Sequence, residues 1–394
     1  MRILFLTPEP PLPANKGTAM RNAAMLRFAR AAGFEICLVS GIAMGREVEP
    51  ALRELCADLV AVPIHQLSPM ARIAAAFGSG PDLQQPYDRS TLRDAVRKAI
   101  QRFGPDVVQV EGLELGGLIR EVRRPGRAVV FDAHNCETSL AATLAKVRPV
   151  FTAKGLWTRM QLPRIRRAET RAVIEADVVL AVSPTDAGAL RALAPAAEIR
   201  VVPNPIDAEP LRGLDRRPAE PPRLLFTGTM DYAPNVEAVT WFVREVLALV
   251  PETYLDVVGR APAPEVLGLA GPRVTVTGEV ESVDPFLARA SAFVVPLHAG
   301  GGSRLKVLQA MAAGVPLVST SNGMLGIDAR PGEHYLRADE AAGFAAAIRD
   351  VLADRGAAEA RAAAARSLVS GAYGLEAVGI RWRAAIDAVI SAAG

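Results

Sequence analysis

A chain of 394 residues with a formal net charge of +3 is too long for one ordinary core, and its charge alone does not mark a nucleic-acid binder. Half of its residues are apolar and only 5% aromatic, a globular composition rather than a disordered or fibrous one. Its three cysteines, Cys37, Cys56 and Cys136, show neither a disulfide framework nor zinc spacing, so a reducing cytoplasm is the expected setting.

The chain opens on an apolar run at residues 3–6 that is stopped by Pro8, Pro10 and Pro11, too early for a signal peptide or a membrane span. Similar short runs follow at 36–39, 107–110, 129–131 and 178–182. A second set lies at 224–226, 255–258, 274–276, 293–297 and 315–318. Runs this short, rich in Val and Ile and separated by amphipathic helical stretches, predict buried parallel strands of βαβ units. Between the sets lies VVPNPIDAEPLRGLDRRPAEPPRL, proline-rich and polar, which reads as an inter-domain connection. The expectation is an α/β chain of two doubly wound domains with a break near residue 207. The alanine-rich stretch 356–366 predicts helix.

The strand ends carry the candidate chemistry. The predicted strands of the second set run into Gly228, Gly259 and Gly278; in the first set Glu111 precedes Gly112, and VVFDA opens onto His134. Ligands of open parallel sheets bind outside the carboxyl ends of the strands, where glycine lets backbone N–H groups come close. The stretch HAGGGSRLKVLQAMAAGVPLVST is the most specific. Gly300, Gly301 and Gly302 let a loop fold under an anion. Ser303 and Leu305 offer N–H groups at a helix start, and Arg304 and Lys306 add full charges, so the stretch predicts diphosphate binding. Neither GxxxxGK[ST] nor GxGxxG occurs, which argues against a P-loop and against NAD. No DxD triplet occurs either, and neither a metal nor a cofactor is expected. Glu111 has two readings: a general base or acceptor ligand, or the partner of a nearby arginine.

The succession RILFLTPEPPLPANKGTAMRN, DVVQVEGLELG, FDAHN, ADVVLAVSPTD, RVVPNPID, LLFTGTMDYAPNVEAVTWF, VTGEVES and GGGSRLKVLQAMAAGVPLVST resembles the GT-B glycosyltransferases of family 4 over nearly the whole chain. The resemblance implies two Rossmann-like domains facing across a cleft: an acceptor-binding domain over 1–207, a nucleotide-sugar-binding domain over 208–372, and a C-terminal helix over 373–394 that crosses back to the first. It implies transfer of a hexosyl group from a nucleoside diphosphate sugar, with retention, by a front-face route in which the leaving phosphate oxygen takes the acceptor's proton. By the same resemblance His134 contacts the donor sugar and diphosphate, Gly17 belongs to the loop that closes over the donor, Val280 meets the base, and Gln309 stands where the family holds the ribose with a glutamate. The family's other glutamate, eight positions earlier, is here Gly301. An amide at Gln309 still bonds hydroxyls, and Arg304 and Lys306 replace the basic pair the family carries after the first strand of this domain, with Arg260 a weaker candidate.

The expected partners are thus a nucleotide sugar and a carbohydrate or lipid-linked acceptor, with no nucleic acid, in polysaccharide or glycolipid assembly. The missing glutamates keep a non-catalytic GT-B partner protein open, and a nucleotide-sugar 2-epimerase is a further alternative. The basic segment 152–171, with Lys154, Arg159, Arg164, Arg166, Arg167, Arg171 and Trp157, reads either as a peripheral contact with the inner membrane surface or as an ordinary solvated helix face. His65, His298 and His334 are expected to be structural.

Overall fold

Each of the ten apolar runs contributes to a parallel strand in the computed structural model, which describes residues 1–14, 16–64, 80–87, 90–148, 150–299 and 304–393. Gly300, Gly301, Gly302 and Ser303 of the expected anion loop, and His65, lie outside the described residues. The chain divides into two units, Met1–Pro205 with Val378–Gly394, and Ile206–Ala377. These limits differ by a few residues from those expected. Ile206 donates its N–H to the carbonyl of Tyr373 at 2.8 Å, which ties both ends of the second unit together.

The first unit holds a seven-stranded sheet in the order β3-β2-β1-β4-β5-β6-β7. Its strands are β1 (Arg2–Thr7), β2 (Glu35–Ala43), β3 (Asp58–Ile64), β4 (Val107–Glu111), β5 (Ala128–Ala133), β6 (Val178–Ala181) and β7 (Ile199–Val201). The order turns at β1, which pairs with β2 on one side and β4 on the other, Ile3 lying opposite both Ile36 and Val107. β4 and β5 are buried along their whole length, as strands covered on both faces must be. The main covering helices are α1 (Gly17–Ala31), α2 (Ser90–Phe103), α3 (Glu137–Val147), α4 (Ala153–Glu175) and α5 (Pro184–Leu193).

The second unit repeats the plan with six strands in the order β10-β9-β8-β11-β12-β13. They are β8 (Arg223–Thr227), β9 (Tyr254–Val258), β10 (Val274–Val276), β11 (Ala292–Val295), β12 (Leu317–Ser319) and β13 (Leu336–Arg337), and the order turns at β8. Its helices include α6 (Ala233–Trp241), α7 (Leu305–Ala312), α8 (Ala341–Ala353) and α9 (Arg355–Ala372).

The last helix, α10 (Leu375–Ala393), packs with the first unit through Trp382. The indole is fully buried, edge-on to Phe34 at 6.2 Å and tilted to Phe28 at 6.3 Å. Each sheet therefore has a reversal point, between β1 and β4 and between β8 and β11. The carboxyl ends of those strands are where such sheets hold ligands.

Candidate functional site

In the second unit, β8 is followed by Gly228 and β9 by Gly259, with φ of +155° and +151°. A side chain at Gly259 would run into the backbone of Gly228, so the two strand ends approach as only glycine allows. Lys306, in the first turn of α7, brings its ammonium to this turn. Its Nζ donates to Asn235 Oδ1 at 2.8 Å and lies 4.1 Å from the centre of the Phe226 ring. By area the side chain is half-buried, yet its charged end is interior, and burial together with the nearby Arg304 charge holds its pKa well below the usual lysine range. Asn235 completes the turn by donating Nδ2 to the Thr229 carbonyl at 2.9 Å.

The two expected cations part company. Arg304 is buried and donates to the carbonyl of Asn322 at 3.2 Å, toward the turn after β12, while Lys306 serves the turn after β8. On α7, Leu305, Lys306 and Gln309 form the less buried face, and Val307, Leu308, Ala310 and Met311 face the core. Val280 is half-buried just beyond Gly278. His334 is buried and accepts from the Arg330 N–H at 2.9 Å, and His298 stands edge-on to Trp241 at 4.5 Å, so both have structural contacts.

In the first unit, a buried hydrogen-bond chain ends on His134. The Trp382 indole donates to Gln109 Oε1 at 3.0 Å. Gln109 Nε2 donates to Glu111 Oε1 at 2.7 Å, and Glu111 Oε2 lies 3.0 Å from His134 Nε2. Asn22, its amide turned to donate, lies 3.0 Å from the same Glu111 oxygen and 3.2 Å from His134 Nε2. The arginine reading of Glu111 is corrected: the arginine that enters this site, Arg21, binds Asp132, because both Asp132 oxygens face its fork at 2.6 to 3.1 Å. Arg21 also donates to the Val202 carbonyl at 3.0 Å and to Asn204 Oδ1 at 2.8 Å.

Glu111 is pushed up to about 7 by burial and by the Asp132 charge. For His134 burial acts downward, but the hydrogen bond it donates to Glu111 and the charges of Asp132 and Glu111 outweigh it, and the net shift is upward. Glu111, Asp132 and His134 place one ligand atom each within 4.8 Å of one another, a donor set by type that a metal ion accepts. The Arg21 guanidinium already fills the cation's place at Asp132.

Gly112, at φ +78°, has no room for a side chain: a Cβ there would meet the Glu114 carboxylate and lie 3.5 Å from His134 Nδ1. The N-terminus of α3, just after His134, is answered from inside. Glu169 on α4 accepts from the N–H groups of Glu137 at 2.7 Å and Thr138 at 2.9 Å. Gly17 opens α1, and before it Glu9 is bonded by Lys16 at 2.6 Å and by Thr18 at 2.8 Å.

Residues 221–354 match the family described as glycosyl transferases group 1, and residues 16–205 match the glycosyl transferase 4-like domain. The chain belongs to the group 1 glycosyltransferases. A curated relative, glycogen synthase of Mycobacterium tuberculosis, is 34% identical over 182 residues, which are 43% of this chain and 44% of the relative's length. The glycosyltransferase superposes on sucrose-phosphate synthase from Thermosynechococcus elongatus with a TM-score of 0.78, at 18% identity over all of both chains. Anabaena HepE, solved with UDP-glucose, gives 0.65 at 13% identity over 98% of this chain and all of its own. WaaG, a glycosyltransferase of lipopolysaccharide biosynthesis, gives 0.63 at 15% identity over 97% and 98%. These likenesses fix the GT-B fold of two Rossmann-like domains. No helix among the described residues of this glycosyltransferase is long and apolar enough to cross a membrane.

Sequence reasoning missed Gln109, Asn22, Arg21, Asp132, Asn235 and Trp382. The available signal was a polar or charged residue set inside an otherwise apolar run, as Gln109 is in VVQVE and Asp132 in AVVFDA.

The chain to His134 makes a direct prediction. Glu111→Gln keeps the shape but removes the charge that holds the imidazolium. The His134 titration midpoint, read by NMR, should fall, and turnover should drop at least about tenfold with nucleotide affinity unchanged. Both groups have raised pKa values, so the folded state binds protons more tightly than the unfolded one. The pair's contribution to stability is therefore present at mildly acid pH and is lost as pH rises through about 7, and the variant should flatten that slope. An unmoved His134 titration would show that Glu111 does not position it.

Proposed function

We propose that the chain transfers a hexosyl group from a nucleoside diphosphate sugar, bound by the second unit, to an acceptor hydroxyl bound by the first, with retention and without a metal. The observation that carries this reading is the buried Lys306 ammonium at the Gly228 turn, on the same helix face as Gln309. The bond from the sugar C1 to the diphosphate oxygen breaks, C1 bonds to the acceptor oxygen on the same face, and the acceptor's proton passes to the departing phosphate. Negative charge then grows on the diphosphate, where Lys306 and the α7 N-terminus stabilise it. UDP-sugars are the first donors to test, since HepE was solved with UDP and with UDP-glucose. Polysaccharide or glycolipid assembly is the setting that fits a sugar acceptor.

Calorimetry with UDP and UDP-glucose tests the donor site. Gln309→Glu should bind as well as the wild type or better, and Gln309→Leu should lose about 1–3 kcal/mol through unpaired ribose hydroxyls. Equal binding by the Leu variant would remove the ribose from this helix. Turnover should survive EDTA; a strict Mn or Mg requirement would contradict the reading. Donor converted without an acceptor would point to an epimerase, and binding without turnover to a non-catalytic partner.

The proposal extends to a peripheral membrane contact. Val150, Phe151, Leu156 and Met160 are exposed beside Lys154 and Arg166, an apolar tip within a basic segment. The protein should float with vesicles rich in anionic lipid and not with neutral ones, and Phe151→Ser should weaken flotation. Equal flotation of wild type and variant would leave an ordinary solvated helix.

A further inference from the structure

A cavity of about 410 Å3 opens in the first unit between the turn before Tyr87, the turn after β4 and one face of α4. Gln84, Tyr87, Glu114, Arg164, Arg167 and Arg171 line it. The three arginines are spaced by three and four along α4, so they share one helix face and repel one another. Arg93, also on the wall, pairs with Glu121. Among the described residues Arg167 and Arg171 have neither a hydrogen-bond nor an ion-pair partner. Two cations on one helix face beside a cavity, Arg167 and Arg171, with no ion pair of their own among the described residues, are what an anionic ligand completes.

The cavity also has an inner, acidic end. Glu114 is its carboxylate, and a Cβ at Gly112 would meet both that carboxylate and, at 3.5 Å, His134 Nδ1, so the two groups flank one point at this turn. The acidic end of the cavity therefore lies near the strand edge that bears His134. Carboxylates accept hydrogen bonds from sugar hydroxyls, while arginine forks bind phosphate or carboxylate. The volume suits a polar molecule of monosaccharide to disaccharide size.

We propose that the acceptor carries an anionic group, a phosphate or a carboxylate, held by Arg167 and Arg171, with its sugar hydroxyls toward Glu114 and His134. The proposal rests on the glycosyl-transfer reading for the word acceptor, but its binding site is measurable without it. The probes are glucose 6-phosphate, glucuronate and neutral glucose, titrated by calorimetry into the full chain. At least one anionic probe should bind about tenfold or more tighter than glucose, and rising salt should weaken it. Phosphate preferred over carboxylate, or the reverse, assigns the group. Arg167→Gln with Arg171→Gln should abolish the preference while UDP affinity and melting temperature stay unchanged; both side chains are exposed, so the fold does not depend on them.

Anionic probes that bind no tighter than glucose, or a double variant that keeps the preference, would overturn the proposal and leave a solvated helix face. Failure of the wild type to bind UDP would instead strike the donor site and the transfer reading, with the cavity result standing by itself.

Discussion

Lys306→Met should lower turnover of the nucleotide sugar by at least about a hundredfold, a loss of about 2.7 kcal/mol of transition-state stabilisation. The substitution keeps the stem over Phe226 and removes the charge, so the measured loss belongs to the ammonium. In the free protein this ammonium is ill-placed, interior and near Arg304, with its pKa depressed. A diphosphate reverses that balance, because an opposite charge at close range favours the protonated form. UDP binding should therefore take up a proton at alkaline pH, seen as a binding enthalpy that depends on the ionisation heat of the buffer, and the Met variant should lose that dependence. An unchanged kcat/KM in a folded variant would remove Lys306 from the donor site.

How far the site was legible depended on the range of the signal. The central strands were readable because strands covered on both faces become unbroken apolar runs. The edge strands β3, β7 and β13 were missed: DLVAVPI has only one buried position, and β7 and β13 are three and two residues long. Lys306 was legible as a cation after glycines, but its partner Asn235 is 71 residues away, and no local pattern joins them. Arg304 looked equivalent to Lys306 in sequence. Two positions on a helix start point in different directions, however, and Arg304 turned to Asn322. The chain to His134 was the least legible, since Gln109 and Trp382 are 273 residues apart and meet only because α10 returns to the first unit.

The largest expected effect on stability lies in the same unit. Asp132→Ala should destabilise the first unit by about 3–5 kcal/mol, measured as the shift of its urea transition, because it strips the buried Arg21 guanidinium of the carboxylate that holds its fork. Arg21 is fully enclosed and its remaining contacts are the Val202 carbonyl and Asn204, which accept hydrogen bonds but carry no charge. A second consequence follows for the chain to His134. Asp132 pushes Glu111 up and Arg21 draws it down, so loss of Asp132 leaves Glu111 facing an unpaired cation. Its carboxylate should then turn toward Arg21 and release His134, and turnover should fall with stability. The double variant Arg21→Met with Asp132→Leu separates the two effects. It replaces a buried pair by apolar side chains, which is often neutral or stabilising, so most of the lost stability should return, less about 1–3 kcal/mol for the carbonyl and amide that Arg21 had satisfied. With neither ion present, Glu111 keeps His134 as its partner, and turnover should recover further than in Asp132→Ala alone. If the double variant is as unstable as the single one, the pair is not what Asp132 supports. If stability returns and turnover does not, the Asp132 charge itself is needed by His134.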